Sequence, residues 1–201
     1  MMASPSQDHD QGGTRGRILE IALRRFTDHG YSATSIRDIA VELGVSKAAV
    51  YYHFKEKGEI LESLVQPVLS GADSLLSAEP ELSTPAGRRD FVTQLVALLS
   101  TVAPRVGVIN DPSVLEHLSE HVQGSGLPAT LAHRFAEGLI AGGQYSDPSH
   151  ALVRAACAVG CLPTGMRTWV VAHAPVDTID ADGQRLLVAC VLGALGDPIS
   201  N

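Results

Sequence analysis

Thr34–Phe54, TSIRDIAVELGVSKAAVYYHF, decides how the rest of this 201-residue chain is read. Ile36, Ile39, Ala40 and Leu43 recur at helical spacing and predict a short helix with one apolar face. Thr34 or Ser35 supplies its N-cap, and Asp38 is placed to complete a capping box. Gly44 then makes a turn, because without a Cβ it takes a positive φ at little cost. Ser46 is a good N-cap for a further helix over Lys47–Phe54. Ala40, Val45 and Val50 are the apolar residues that would lock the two helices where they cross.

Upstream, Ile18, Ile21, Ala22, Leu23 and Phe26 form the stripe of a first helix over Thr14–His29, which Gly30 ends. Downstream, Ile60, Leu61, Leu64, Val65, Val68 and Leu69 predict a long helix from Lys55 to about Ala78, with Pro67 inside it. Residues 80–85 read as a linker. Further helices are expected at about 85–103, 111–123, 127–142, 148–173 and 178–196, with prolines near the boundaries. Pro163 is expected to kink or split the helix over 148–173. Nothing reads as a strand ladder, so the fold class is all-α. Its parts are an N-terminal arm without fixed structure (1–13), a three-helix unit (14–57) and a larger helical bundle (58–201).

Composition narrows the function classes. The chain is 45% apolar, 18% charged and 4% aromatic, as globular proteins are. No uncharged apolar run reaches the roughly 18 residues of a membrane span, and the polar N-terminus lacks the apolar region of a secretory signal. Three cysteines without a CxxC suit a reducing cytoplasm. The net charge is −7, but it is unevenly placed. Residues 14–57 hold eight Lys/Arg against five Asp/Glu, or +3, whereas residues 58–201 hold seven against 15, or −8. A basic head on an acidic body suits one face built for phosphates.

The third helix has the chemistry for a major groove, where an α-helix fits. Lys47 can reach a base edge or a phosphate. Ala48 and Ala49 are small enough for close approach. Tyr51 and Tyr52 offer hydroxyls and flat apolar surface, and His53 can donate to phosphate. Lys57 stands at the start of the next helix, whose free N–H groups also attract phosphate. The skeleton FxxxGYxxTSIxxIAxxLGVSxxxVYYHFxxKxxIL, within Arg17–Leu64, resembles the TetR/AcrR family of bacterial regulators. That resemblance covers about the first third of the chain. It implies three DNA-binding helices, a C-terminal bundle whose last two long helices pair two protomers, and repression of a pseudo-palindromic operator relieved by a small-molecule effector. It carries DNA contact onto Thr34, Arg37, Lys47, Ala48, Ala49, Tyr51, Tyr52, His53 and Lys57. Two positions depart from the family pattern: Ala48, where Gly or Pro is common, and Gly58, where an acidic residue is common. The alternatives are an activator or ligand-independent regulator of the same fold, and a nonspecific architectural DNA binder.

The C-terminal part is less legible. Small residues mark two helices as close-packing: Ala151, Ala155, Ala156, Ala158 and Gly160, then Ala189, Gly193, Ala194 and Gly196. His117, His121, Phe135, Leu139, Met166 and Trp169 are the candidates for a mostly apolar effector pocket. Glu116, His117, Glu120 and His121 have a spacing that can bind zinc, but read as a solvated helix face. Cys157 and Cys161, one turn apart, read as small buried hydrophobes. Gly138 and Gly142 read as a close-packing pair. There is no P-loop, GxSxG or HExxH, so neither an enzyme nor a cofactor or metal site is expected.

Overall fold

The computed structural model describes residues 8–100, 114, 117, 126–173 and 178–197. Among them are eight helices: α1 Asp8–His29, α2 Ile36–Leu43, α3 Lys47–His53, α4 Lys57–Ser77, α5 Pro85–Ser100, α6 Leu127–Ala141, α7 Pro148–Ala172 and α8 Ala181–Leu195. No strand occurs among the described residues.

Local signals set most of the boundaries. Ser35 caps α2 in a capping box: its Oγ accepts from Asp38 N (3.2 Å), and its own N–H donates to Asp38 Oδ2 (2.9 Å). Gly44 closes the helix at φ 75°, and Val45 N donates to Ala40 O at 3.0 Å. Ser46 caps α3 through Ala49 N (3.2 Å). Asp147 caps α7 ahead of Pro148, and Asp180 caps α8.

Three expectations change. α1 begins at Asp8 rather than Thr14, so the segment expected to lack structure is helical from that point. Extending a formed helix gains a hydrogen bond per residue, unlike starting a new one. α7 runs through Pro163 without being split. Proline removes one backbone bond, but Val159, Leu162 and Met166 are buried on either side, and this packing holds the helix. The expected helix over 111–123 lies outside the described residues, except Val114 and His117.

Two cores meet along α4. The first gathers Ile18, Ala22, Phe26, Ile39, Val50 and Phe54 with Ile60, Leu61, Leu64 and Val65, and takes in Val114. The second gathers Val68 and Ala72 with Phe91, Leu95, Phe135, Leu139, Met166 and Leu192. The first core therefore continues past Lys57, where the unit read from sequence ends, to Val65. In the second core, a Cβ on Gly138 or Gly142 would collide with the carbonyl oxygen of Leu82 or Ser83, so these two glycines do let the 80–85 linker lie against α6. A buried ion pair closes this domain. Arg88 donates to Asp197 through Nε (2.7 Å) and Nη2 (2.5 Å), to Leu82 O (2.8 Å) and to Gln144 Oε1 (2.7 Å). Arg88 is 1% exposed, and its partners lie on the linker, the α6–α7 turn and the end of α8.

Candidate nucleic-acid interface

α3 lies on a braced scaffold. Glu42 on α2 takes hydrogen bonds from Arg24 and, at 2.5 Å, from Arg25 Nε, tying α2 to α1. The Arg24 hydrogen bond, with Arg25 beside it, holds the Glu42 carboxyl below its ordinary range. Hydrogen bonds from the Ser35 hydroxyl and backbone do the same for Asp38. Arg15 bonds Ser63 Oγ (3.0 Å) and lies over the Phe54 ring (4.7 Å), tying α1 to α4 and the end of α3. Val50 is fully buried, so α3 presents its opposite side outward.

That side carries most of the expected contact residues. Lys47 and Ala48 are exposed and Ala49 is half-exposed. Tyr51 is 43% and Tyr52 72% exposed, unusual for aromatic side chains with a core available. Lys47 Nζ sits 5.2 Å from the Tyr51 ring centroid, and His53 meets the Tyr52 ring edge-on at 5.2 Å. A shallow concavity of about 450 Å³ joins α3 to the start of α2. Arg37, Lys47, Lys55 and Lys57 bring cations to it, and Ser32, Ser35 and Tyr51 bring hydroxyls. Sequence reasoning missed Ser32, Ser35 and Lys55 as contacts. Lys55 was visible only as part of the basic head, because its place depends on the turn between α3 and α4.

Two expected contacts have other work. Thr34 is 2% exposed, and its hydroxyl donates to Gly30 O (3.0 Å) and Arg25 O (3.3 Å). Its side chain fastens the α1–α2 turn and does not face outward. Lys57 Nζ donates to Tyr31 O (2.7 Å) and Thr34 O (2.9 Å) and lies 4.1 Å from the Tyr31 ring centroid. It braces the same turn from α4.

The pocket residues expected in the C-terminal domain are not brought together. Phe135, Leu139 and Met166 are packed in the second core, with Phe135 edge-on to Phe91. Trp169 stacks on His173 at 4.0 Å. His117 lies instead against the first domain, 3.6 Å from Glu62 and 6.0 Å from the Tyr31 ring. His121, Glu116 and Glu120 lie outside the described residues. His117 also explains Gly58: a Cβ there would come within 2.6 Å of the imidazole. Of the two cysteines expected to be buried, Cys157 is exposed and Cys161 half-exposed.

A short helix held outward on a capped scaffold, among cations and hydroxyls, defines a helix-turn-helix domain of the DNA-binding class. Residues 18–64 match the family model of bacterial regulatory proteins, tetR family, and this domain belongs to that family. Over 51 residues the chain is 43% identical to the HTH-type transcriptional regulator AcrR of Shigella flexneri, covering 25% of this chain and 24% of AcrR. Over 103 residues it is 35% identical to the HTH-type transcriptional repressor KstR2 of Rhodococcus jostii, covering 50% of this chain and 48% of KstR2. These matches span from about a quarter to about half of the relatives' length. The fold likeness reaches further. A solved TetR-family transcriptional regulator from Bordetella parapertussis superposes with a TM-score of 0.62 at 22% identity, covering 94% of this chain and 98% of that one.

Proposed function

We propose that this protein is an operator-binding transcriptional repressor that acts as a homodimer and lets go of DNA when a small molecule binds its C-terminal domain. The observation that carries the DNA-binding part is the outward face of α3, with Lys47, Ala48, Tyr51 and Tyr52 exposed beside Arg37 and Lys55. α3 is seven residues long, or about 10 Å. That length reaches roughly three base pairs of a major groove, where the cations bind phosphate and the tyrosines and alanines meet base edges. The repressor reading leans on the printed description of KstR2.

Pairing of protomers would use the outward face of α7 and α8. Val153 and Leu186 are exposed there, beside the small residues Ala156 and Gly160. Two-fold pairing places two α3 helices about 34–36 Å apart on successive major grooves. The effector would enter an open cleft of about 430 Å³ between α4 and α6, where Gln66, Ser70, Asp73 and Thr130 mix with Leu69, Leu76 and Leu127. A ligand there touches α4, whose other end lies in the DNA-binding core. Its release of DNA would be a shift between two arrangements of the paired heads.

The test is a binding titration against DNA from just upstream of the protein's own gene, with scrambled DNA as control, at near-physiological salt. Tighter binding to the upstream DNA, with two-fold symmetric protection, is the expected result. Equal binding to both, with a steep salt dependence, would point to a general DNA binder or an operator elsewhere, and selection of bound genomic fragments separates the two. Sedimentation of wild type and Leu186→Arg tests the pairing face.

A further inference from the structure

α7 and α8 are antiparallel, and three close approaches fix their register. A Cβ on Gly165 would lie 2.7 Å from Leu187 Cδ2, one on Gly183 would lie 2.6 Å from Trp169 Cε2, and one on Gly196 would lie 3.3 Å from Arg154 Nη2. Position 165 therefore faces 187, 169 faces 183, and 154 faces 196. Four residues back from Gly165 along α7 is Cys161. Three residues forward from Leu187 along α8 is Cys190. Steps of three and four keep to one helix face, so Cys161 and Cys190 stand opposite each other. Glycines at the neighbouring contacts bring the helices to the short end of the roughly 8–10 Å range of helix pairs.

We propose that Cys161 and Cys190 are a redox pair that closes to a disulfide between α7 and α8 when the protein meets a hydroperoxide. Both thiols are free, Cys190 exposed and Cys161 half-exposed. Burial first, and then the nearby Cys190, push the Cys161 thiol up, which agrees with the register. Cys157 is a poorer partner for Cys161. It lies one turn along the same helix, where Cβ atoms are about 5–6 Å apart, beyond the roughly 3.5–4.5 Å of a disulfide.

The chemistry balances with hydrogen peroxide as oxidant. The Cys190 thiolate attacks one peroxide oxygen, an S–O bond forms, the O–O bond breaks, and the departing hydroxide takes a proton to become water. Cys161 sulfur then attacks Cys190 Sγ, and the S–S bond forms as the S–O bond breaks. The departing hydroxide takes the Cys161 proton. Two thiols are oxidised to one disulfide, and one peroxide is reduced to two waters. This bridge is independent of the repressor reading: a monomer in sedimentation would remove the pairing face and leave the bridge intact.

The experiment treats the reduced full chain with hydrogen peroxide, alkylates the remaining thiols and maps the peptides by mass spectrometry. The expected product is an intrachain Cys161–Cys190 peptide, reversed by dithiothreitol and retained in Cys157→Ser. It is absent in Cys161→Ala, where Cys190 stalls as a sulfenic acid that dimedone traps, and absent in Cys190→Ser. Circular dichroism checks that each variant is folded. Three alkylatable thiols after peroxide treatment, or a bridge running through Cys157 or between chains, would overturn the proposal.

Discussion

At Lys57 the ammonium points inward, onto two carbonyls and a tyrosine ring, whereas Arg37 and Lys55 line the open concavity. The three cations should separate in experiment. Arg37→Ala and Lys55→Ala should weaken binding to every DNA sequence alike, and each should reduce the salt slope by about one. Lys57→Met should act first on stability, since hydrogen bonds from a charged donor are worth about 1.5–3 kcal/mol; thermal melts against binding isotherms distinguish the two kinds of effect. Lys47→Ala and Tyr52→Ala should change which sequence is preferred, by about 1–3 kcal/mol for a base contact. If neither alters operator affinity in a folded protein, α3 is not the reading helix. Acid titration makes a further residue-scale test. The folded-state values of Asp38 and Glu42 lie below their unfolded ones, so their contribution is present above about pH 4 and disappears as pH falls through the folded values. Melts should therefore be flat from pH 7 to 5 and fall below that, and Asp38→Asn should blunt the fall.

Single helices were legible where the signal is local. The Ser35–Asp38 box, Gly44 and Ser46 each act within a few residues, so α2 and α3 could be read from sequence alone. The break expected at Pro163 failed because packing on both sides, which no local pattern carries, outweighs one lost backbone bond. Gly58 looked like a loss of helix propensity, about 1 kcal/mol against alanine. The structure explains it through a side chain far along the chain: His117 occupies the space a Cβ would need. Gly58→Ala should consequently stabilise the protein little or not at all, and about 1 kcal/mol more in a His117→Ala background. A double-mutant cycle on denaturant midpoints measures that coupling; strict additivity would refute the steric account. The effector residues read from sequence fared worst. Phe135, Leu139 and Met166 have the right chemistry for a pocket, but core and pocket linings use the same residues, and only the assembled bundle distinguishes them.

For the molecule as a whole, the parts that depend on distant pairings were invisible in sequence. Arg88 and Asp197 are separated by most of the C-terminal domain in sequence, yet meet in a pair 1% exposed on both sides. Asp197→Ala leaves a buried guanidinium without its carboxylate and should cost about 3–5 kcal/mol, while Arg88→Leu with Asp197→Leu should cost much less. Chemical denaturation of the single and double variants tests both figures. Helix α4 has a different consequence for the whole molecule. With Ile60–Val65 in one core and Val68 and Ala72 in the other, α4 acts as a phase-setting shaft. One residue inserted after Val65 would turn the reading head by about 100° against the sensor and advance it by about 1.5 Å. Seven inserted residues would restore the angle to within about 20°. Hybrids that join this head to another sensor should therefore tolerate changes in sequence along α4 far better than changes in its length.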